Sequence, residues 1–153
     1  MTAPLLLPIR GANDVLVARA VIRGVGRDAG LAPREVQSLE IVASELAWNI
    51  LQHAKNGSLE VSTLPDGSGI AIAATDSGPW FHDLAVALRD GCDDRGPIDP
   101  QSIRRRRGIG GGLGAVVRLT HSFEVKNLPQ GKRIEVVRRG TNGPTTTGKG
   151  RRQ

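Results

Sequence analysis

The strongest folding signal in this chain is a helical repeat of apolar residues between positions 34 and 54. Leu39, Val42, Leu46 and Ile50 follow one another at intervals of three or four residues, so they fall on one face of an α-helix. Pro33 stands at the first turn, where a helix tolerates proline. The rest of the chain must supply the surface that covers this apolar face.

Weaker signals on both sides of this helix predict further elements. They are, in chain order, a strand at 4–10, a helix at 13–29, strands at 59–64 and 70–76 joined as a hairpin, a short helix at 82–89, a long loop at 91–112, a helix at 113–121 and a second hairpin at 123–128 and 133–139. In the first helix, Val17, Val21 and Val25 are predicted to form the apolar face. This order lacks regular βαβ alternation. It therefore predicts an α+β fold, a two-layer sandwich with helices on one face of a mixed, mostly antiparallel sheet.

Length and charge favour one domain over residues 1–140, followed by a disordered basic tail at 141–153. The net charge of +6 comes from two local clusters, Arg104–Arg107 and the three basic residues near the C-terminus, and the chain has no tyrosine for base stacking. A nucleic-acid partner is therefore not favoured. A single cysteine, Cys92, excludes an intrachain disulfide, and no apolar run approaches the ~20 residues that span a membrane. We expect a cytoplasmic protein with no membrane partner.

Two polar residues of the long helix are the first candidates for chemistry. Glu45 and Asn49 lie four residues apart, so they stand side by side at the edge of the apolar face. An amide oxygen can ligate magnesium, and a carboxylate beside it can act as a general base on a hydroxyl. A solvated helix side explains the same pair, and neither residue decides between these readings alone.

Two glycine-containing segments complete the candidate set. Asp76 ends an apolar strand, where its carboxylate can accept a hydrogen bond from an adenine amine, and Gly78 permits close approach of a ligand to the backbone. The segment Gly108-Ile109-Gly110-Gly111-Gly112-Leu113-Gly114 exposes backbone N–H groups before a helix and can cradle phosphate. A dinucleotide-binding motif is a poor alternative, because the arginines at 104–107 do not form the strand that must precede it. The alternative for the Asp76 segment is an ordinary turn, and the alternative for the glycine-rich segment is a flexible hinge.

Taken together and in this order, the three segments resemble the conserved boxes of the GHKL ATPase/kinase superfamily. They are Glu45-x-x-x-Asn49-x-x-x-His53-Ala54, Asp76-x-Gly78-Pro79 and Gly110-x-Gly112-Leu113-Gly114. The segment from Ser44 to Ile50 is similar to the S-E-L-A-R-N-I pattern of RsbT-type switch kinases, which belong to the anti-sigma-factor-type serine/threonine kinases. The resemblance covers about residues 5–139 and implies the Bergerat, or histidine-kinase-like, ATPase fold.

The resemblance also implies roles for individual residues. Asn49 would hold magnesium, Glu45 would be the catalytic base, and Asp76 would bind the adenine amine, with Gly78 keeping that pocket open. The lid residues Gly110, Gly112, Leu113 and Gly114 would enclose the phosphates of ATP.

The implied function is ATP- and magnesium-dependent phosphorylation of a STAS-domain antagonist or scaffold protein in stress or sigma-factor regulation, with a phosphatase or sigma factor as further candidate partners. The alternative is a partner-switching or anti-sigma binding module in which nucleotide only tunes protein binding. The sequence leaves the oligomeric state open.

Overall fold

The structure of the protein, a computed structural model, describes residues 3–88, 92–93, 96–97 and 112–141. Its elements are β1 (Leu5–Ile9), α1 (Ala12–Asp28), α2 (Pro33–Ala54), β2 (Gly57–Thr63), β3 (Gly69–Asp76), α3 (Leu84–Ala87), β4 (Cys92–Asp93), β5 (Gly96–Pro97), α4 (Gly112–Arg118), β6 (Ser122–Leu128) and β7 (Gly131–Arg139). The predicted element order is confirmed, with bounds that shift by a few residues. Two short strands, β4 and β5, pair within the predicted loop at 91–112, most of which lies outside the described residues.

The five long strands form one sheet in the order β1-β2-β3-β7-β6. Both predicted hairpins, β2–β3 and β6–β7, are present, and every neighbouring pair of strands is antiparallel, so the sheet is not mixed. The central pairing of β3 with β7 joins the two hairpins across a long stretch of sequence. Asp76, the last residue of β3, lies directly opposite Lys132 near the start of β7.

One face of this sheet packs against the helices and forms the core. The inward residues of β2, β3 and β7 meet the apolar faces of α1, α2 and α4 in a single buried cluster. Its fully buried members include Ile22, Leu39, Val42, Leu46, Ile50, Leu59, Val61, Ile70, Ile72, Ile134 and Val136. The predicted apolar face of α2 is thus confirmed, and so is the α+β sandwich. No helix in the described part of the chain is both long and apolar enough to cross a membrane.

The other face of the sheet carries a network of charged side chains. The guanidinium of Arg133 donates to the carboxylate of Glu60, to Thr75 Oγ1 at 3.1 Å and to Glu135 Oε1 at 2.9 Å. Lys126 Nζ also donates to Glu135 Oε1 at 3.1 Å, and these two cations lower the pKa of Glu135. The side chains are partly exposed, so each pair contributes at most about 1 kcal/mol to stability.

The predicted apolar face of α1 is only partly correct: Val25 packs against the core as predicted, but Val17 does not. Val17 is 54% exposed, whereas Val15, Ala18 and Ile22 are buried. The buried face includes small residues, Ala18 and Gly26, and α1 packs against α2. At Gly26 a Cβ would lie only 3.1 Å from a methyl carbon of Val36, so the two helices approach closely there.

The end of the described chain is tied to the start of α2. Gly140 N donates to Ser68 O at 2.8 Å, and Thr141 N donates to Glu35 Oε1 at 2.7 Å. The Thr141 hydroxyl donates to the same oxygen, and these hydrogen bonds lower the pKa of the buried Glu35 carboxyl. The ordered domain therefore includes residues 140 and 141, and the rest of the predicted tail lies outside the described residues.

The corrected face of α1 predicts opposite outcomes for two identical substitutions on this helix. Val15→Ala removes buried methyl groups and is expected to lower the free energy of unfolding by about 1–3 kcal/mol. Val17→Ala changes an exposed position and is expected to stay within about 0.5 kcal/mol of the wild type. Urea denaturation followed by circular dichroism measures both. A larger loss for Val17→Ala would show that the described face is wrong.

The hydrogen bonds on Glu35 predict a dependence of stability on pH. The pKa of the Glu35 carboxyl is lower in the folded protein than its ordinary value of 4.5. The hydrogen bonds on Glu35 therefore contribute their full stabilisation above that value, and this stabilisation is lost as the pH falls through the folded pKa. The urea midpoint of the wild type should therefore fall more between neutral pH and about pH 3 than that of Thr141→Ala, with Thr141→Ser as the control that keeps the hydroxyl. Equal losses in all three proteins would contradict this assignment.

Candidate functional site

The polar pair on α2 lies inside the protein. Glu45 is 4% exposed and Asn49 6%, although the sequence places them at the edge of the apolar face. They are buried because α4 packs against α2 in addition to α1 and the sheet. Asn49 Oδ1 accepts no hydrogen bond from any described residue. A buried acceptor without a partner is uncommon in folded proteins, so this oxygen is a candidate for binding a ligand or an ion.

Asp76 and Gly78 lie at the C-terminal end of α2. Asp76 Oδ1 accepts a hydrogen bond from Gly78 N at 2.9 Å, which turns the chain back at the end of β3. A Cβ on Gly78 would lie 2.5 Å from His53 O and 2.9 Å from Ala54 Cβ, so only glycine lets this turn approach the helix so closely. The structure therefore brings the second candidate segment against the helix that carries the first.

The start of α4 is the third candidate segment, and it is described in part. Gly112, Leu113 and Gly114 are buried, and Gly112 has a positive φ of 60°. Leu113 belongs to the same apolar cluster as Leu46 and Ile50 of α2. Gly110 lies outside the described residues. The described part of the third segment thus belongs to a helix that packs against α2, and the second segment lies at the C-terminal end of α2.

A residue that the sequence analysis missed, Lys132, holds Asp76. Its Nζ lies 3.0 Å from Asp76 Oδ2 and 3.2 Å from Oδ1, and the lysine is only 1% exposed. Successive side chains of β7 point to opposite faces of the sheet, so Lys132 shares the inner face with Ile134 and Val136. This alternation is the sequence signal that could have identified Lys132 as a buried residue. Its partner could not be inferred in the same way, because β3 and β7 are far apart in the sequence.

Three consecutive residues after β3, Pro79, Trp80 and Phe81, make the contacts that hold this segment over the ion pair. Pro79 O accepts from Lys132 Nζ at 3.1 Å, and the ring centroid of Phe81 lies 5.1 Å from the same nitrogen. Trp80 is 53% exposed and donates from Nε1 to Leu128 O at 2.9 Å, at the end of β6. Phe81 also meets the ring of His53 edge-on, at a centroid separation of 6.3 Å. The carboxylate of Asp76 is therefore enclosed by its own chain.

The ligands available for a metal ion are few. In the part of the chain that the structure describes, no group of three or more histidine, cysteine, aspartate or glutamate side chains could hold a metal. The unpartnered Asn49 Oδ1 suits magnesium, a hard cation that prefers oxygen and keeps few protein ligands when it also binds phosphate.

Comparisons with known proteins identify a family for this chain. A family model described as a histidine kinase-like ATPase domain matches residues 11–138. The serine/threonine-protein kinase RsbT of Bacillus subtilis (strain 168) is 27% identical over 128 residues, which cover 82% of this chain and 88% of that protein. Among solved structures, a chain in the crystal structure of the SiaB–SiaC complex from Pseudomonas aeruginosa matches with a TM-score of 0.56 and 14% identity. That match covers 87% of this chain and 89% of the other, and it supports the fold.

The close approach at Gly78 predicts the effect of adding one methyl group there. Gly78→Ala should lower the free energy of unfolding by about 1–3 kcal/mol, because the turn must move away from α2. Gly24→Ala is the control: no atom outside its own helix lies within 4 Å of a Cβ there, and alanine favours a helix interior by about 0.5–1 kcal/mol. Urea denaturation compares the two variants. A Gly78→Ala protein as stable as Gly24→Ala would contradict the described contact.

Proposed function

This chain belongs to the histidine kinase-like ATPase domain family, and we propose that it is an ATP- and magnesium-dependent serine/threonine protein kinase. The observation that carries the proposal is the pair of buried polar residues on α2, in which Glu45 lies one turn from an Asn49 whose Oδ1 has no partner among the described residues. Similarity to the kinase RsbT over most of both chains supports the same activity.

In this proposal each residue of the site has a distinct task. Asn49 holds magnesium through Oδ1, and the backbone of the glycine segment that ends in Gly112-Leu113-Gly114 contacts the phosphates. When bound, ATP supplies the γ-phosphoryl group and the metal neutralises its charge. Glu45 accepts the proton that the partner's serine or threonine hydroxyl loses as its oxygen bonds to the γ-phosphorus, while the bond from that phosphorus to the bridging oxygen breaks and ADP leaves. Asp76 and Gly78 form the base pocket at the end of α2.

The proposed acceptor is a STAS-domain protein of a bacterial stress or sigma-factor circuit. Two observations support this proposal: the similarity to RsbT, and the shared fold with a chain of the SiaB–SiaC complex, in which two proteins are bound to each other. A small folded partner also suits a site in which the general base is buried, because the partner must present a hydroxyl on a projecting segment and exclude water as it docks.

A second candidate is a partner-switching binding module in which nucleotide only tunes protein binding. The observation that favours it is the Asp76–Lys132 pair, because the carboxylate proposed to bind adenine is already occupied. The two candidates differ in one outcome. An Asn49→Ala variant that no longer binds ATP but still binds the STAS partner with wild-type affinity, together with a wild type that transfers no phosphate, would favour the binding module.

The kinase proposal predicts a large effect of Glu45→Gln on phosphoryl transfer. With labelled ATP, magnesium and purified STAS-domain proteins from the same genome, this variant should transfer phosphate about 10²–10⁴-fold more slowly than the wild type, because the general base is lost. Its affinity for ADP, measured by calorimetry, should change little, because Glu45 does not hold the nucleotide.

Glu40→Gln is the matched control. Glu40 lies on the same helix but pairs with Arg23 of α1 at 2.7 Å, outside the site, so the rate should stay within about twofold of wild type. Wild-type protein that phosphorylates none of the STAS proteins, or full activity of Glu45→Gln, would refute the kinase assignment.

A further inference from the structure

The side of α1 that faces solvent is unusually apolar. Between Ala12 and Gly24 the exposed residues are Ala12, Asn13, Leu16, Val17, Ala20, Arg23 and Gly24, and Arg23 alone is charged. Leu16 is 56% exposed and Val17 54%. A surface helix ordinarily presents charged and polar residues on the side opposite the core. Apolar residues that are exposed together, rather than singly, mark an interaction surface.

Four of these residues form a continuous patch, the α1 patch, which consists of Leu16, Val17, Ala20 and Gly24. Leu16, Ala20 and Gly24 follow one another at intervals of four residues, so they lie in one row along the helix, and Val17 stands beside that row. The bulky side chains thus occupy the N-terminal half of the patch and the small residues the C-terminal half. No atom outside its own helix lies within 4 Å of a Cβ on Gly24, so the small half is open.

We propose that the α1 patch is the interface of a homodimer, in which α1 of one copy packs antiparallel against α1 of a second copy. A two-fold axis beside Ala20 puts Leu16 of each copy over Gly24 of the other. Bulky side chains then fill the space above small ones, as in the packing of helix ridges into grooves. A parallel pair would place Leu16 against Leu16 and leave a gap between the small halves. The patch is therefore complementary to itself in the antiparallel arrangement.

The charges at the two ends of α1 favour the same arrangement. Arg10 precedes the helix and Asp28 ends it, and both are exposed without an ion pair to any residue that the structure describes. An antiparallel pair brings each Arg10 to the end where the second copy carries Asp28, which gives two pairs of opposite charge. Arg27 comes beside Asn13 and not beside another arginine. Arg23, the exposed cation next to the patch, already pairs with a glutamate of α2.

The proposed interface is short, so the dimer should be weak. From Leu16 to Gly24 the patch extends about 12 Å along the helix axis. A contact along one helix lies at the low end of specific interface sizes, and we expect a dissociation constant of about 10–100 μM. The patch faces away from the core, so the dimer leaves Glu45 and Asn49 uncovered.

Sedimentation equilibrium of the full chain tests the dimer. At concentrations on both sides of the expected constant, the wild type should follow a reversible monomer–dimer equilibrium. Ala20→Glu places two like charges face to face at the two-fold axis, and Leu16→Asn removes the side chain that fills the small half of the second copy. Each variant should raise the dissociation constant at least about tenfold. Both positions are exposed, so circular dichroism and urea denaturation should show that the fold is retained.

Leu6→Asn is the matched control. Leu6 is 66% exposed, and it lies in β1 opposite Glu60, on the outer face of the sheet and outside the α1 patch. The same substitution of an exposed leucine should leave the dissociation constant at the wild-type value.

Disulfide formation tests the orientation of the two helices. With the single native cysteine removed by Cys92→Ser, Ala20→Cys places two thiols together at the two-fold axis, and oxidation with diamide should give a covalent dimer. Leu16→Cys is the comparison. In the antiparallel pair its two thiols are eight residues apart along the helices, or about 12 Å, which is too far for a disulfide.

Four outcomes would overturn the inference. A wild type that is monomeric at every concentration would exclude the dimer. A dissociation constant that Leu16→Asn and Ala20→Glu leave unchanged, or that Leu6→Asn raises equally, would place the interface elsewhere. Cross-linking of Leu16→Cys as readily as Ala20→Cys would exclude the antiparallel pair. A monomeric wild type whose binding to a STAS-domain protein weakens in Leu16→Asn would assign the α1 patch to that protein. Because α1 carries none of the proposed catalytic residues, these outcomes are independent of the kinase assignment.

Discussion

Helix α2 is enclosed by the sheet, by α1 and by α4, so its middle turns have almost no contact with water. All residues from Val42 to Ala47 are buried, and this enclosure brings Glu45 and Asn49 into the interior along with the apolar residues. A buried polar group without a partner costs about 1–3 kcal/mol, so a fold retains one only where something else is gained. The Asn49 oxygen, which has no partner in the part of the chain that the structure describes, is consistent with a site that is completed by a ligand.

Much of the fold follows from local patterns. The apolar face of α2 and the two hairpins are set by residues close together in the sequence, and each is present as predicted. The face of α1 is only partly as predicted: Val25 packs against the core, but Val15 is buried in place of Val17, and apolar residues at both positions leave the local pattern ambiguous. Lys132 could be assigned to the inner face of β7, but its pairing with Asp76 depends on a register between strands of different hairpins. No pattern within either hairpin encodes that register.

The same register links the formation of the sheet to the formation of the site. Side chains alternate between the faces of a strand, so a shift of one residue between β3 and β7 would move Lys132 to the outer face and leave Asp76 without its cation. Gly131 reinforces the correct alignment. It has a φ of 111°, and a Cβ there would lie 1.9 Å from Asp76 O, so a glycine is required beside the lysine. The buried Asp76–Lys132 pair and the central strand pairing are therefore formed by the same contacts.

Both tryptophans of the chain lie at this site, and the sequence contains no tyrosine. Trp48 precedes Asn49 on α2, with a buried Nε1 that has no partner among the described residues, while Trp80 is exposed in the segment that covers Asp76 and Lys132. The ultraviolet emission of the native protein therefore arises almost entirely from two indoles in contrasting environments within the candidate site. The molecule thus contains an intrinsic optical probe of that region, which needs no added dye.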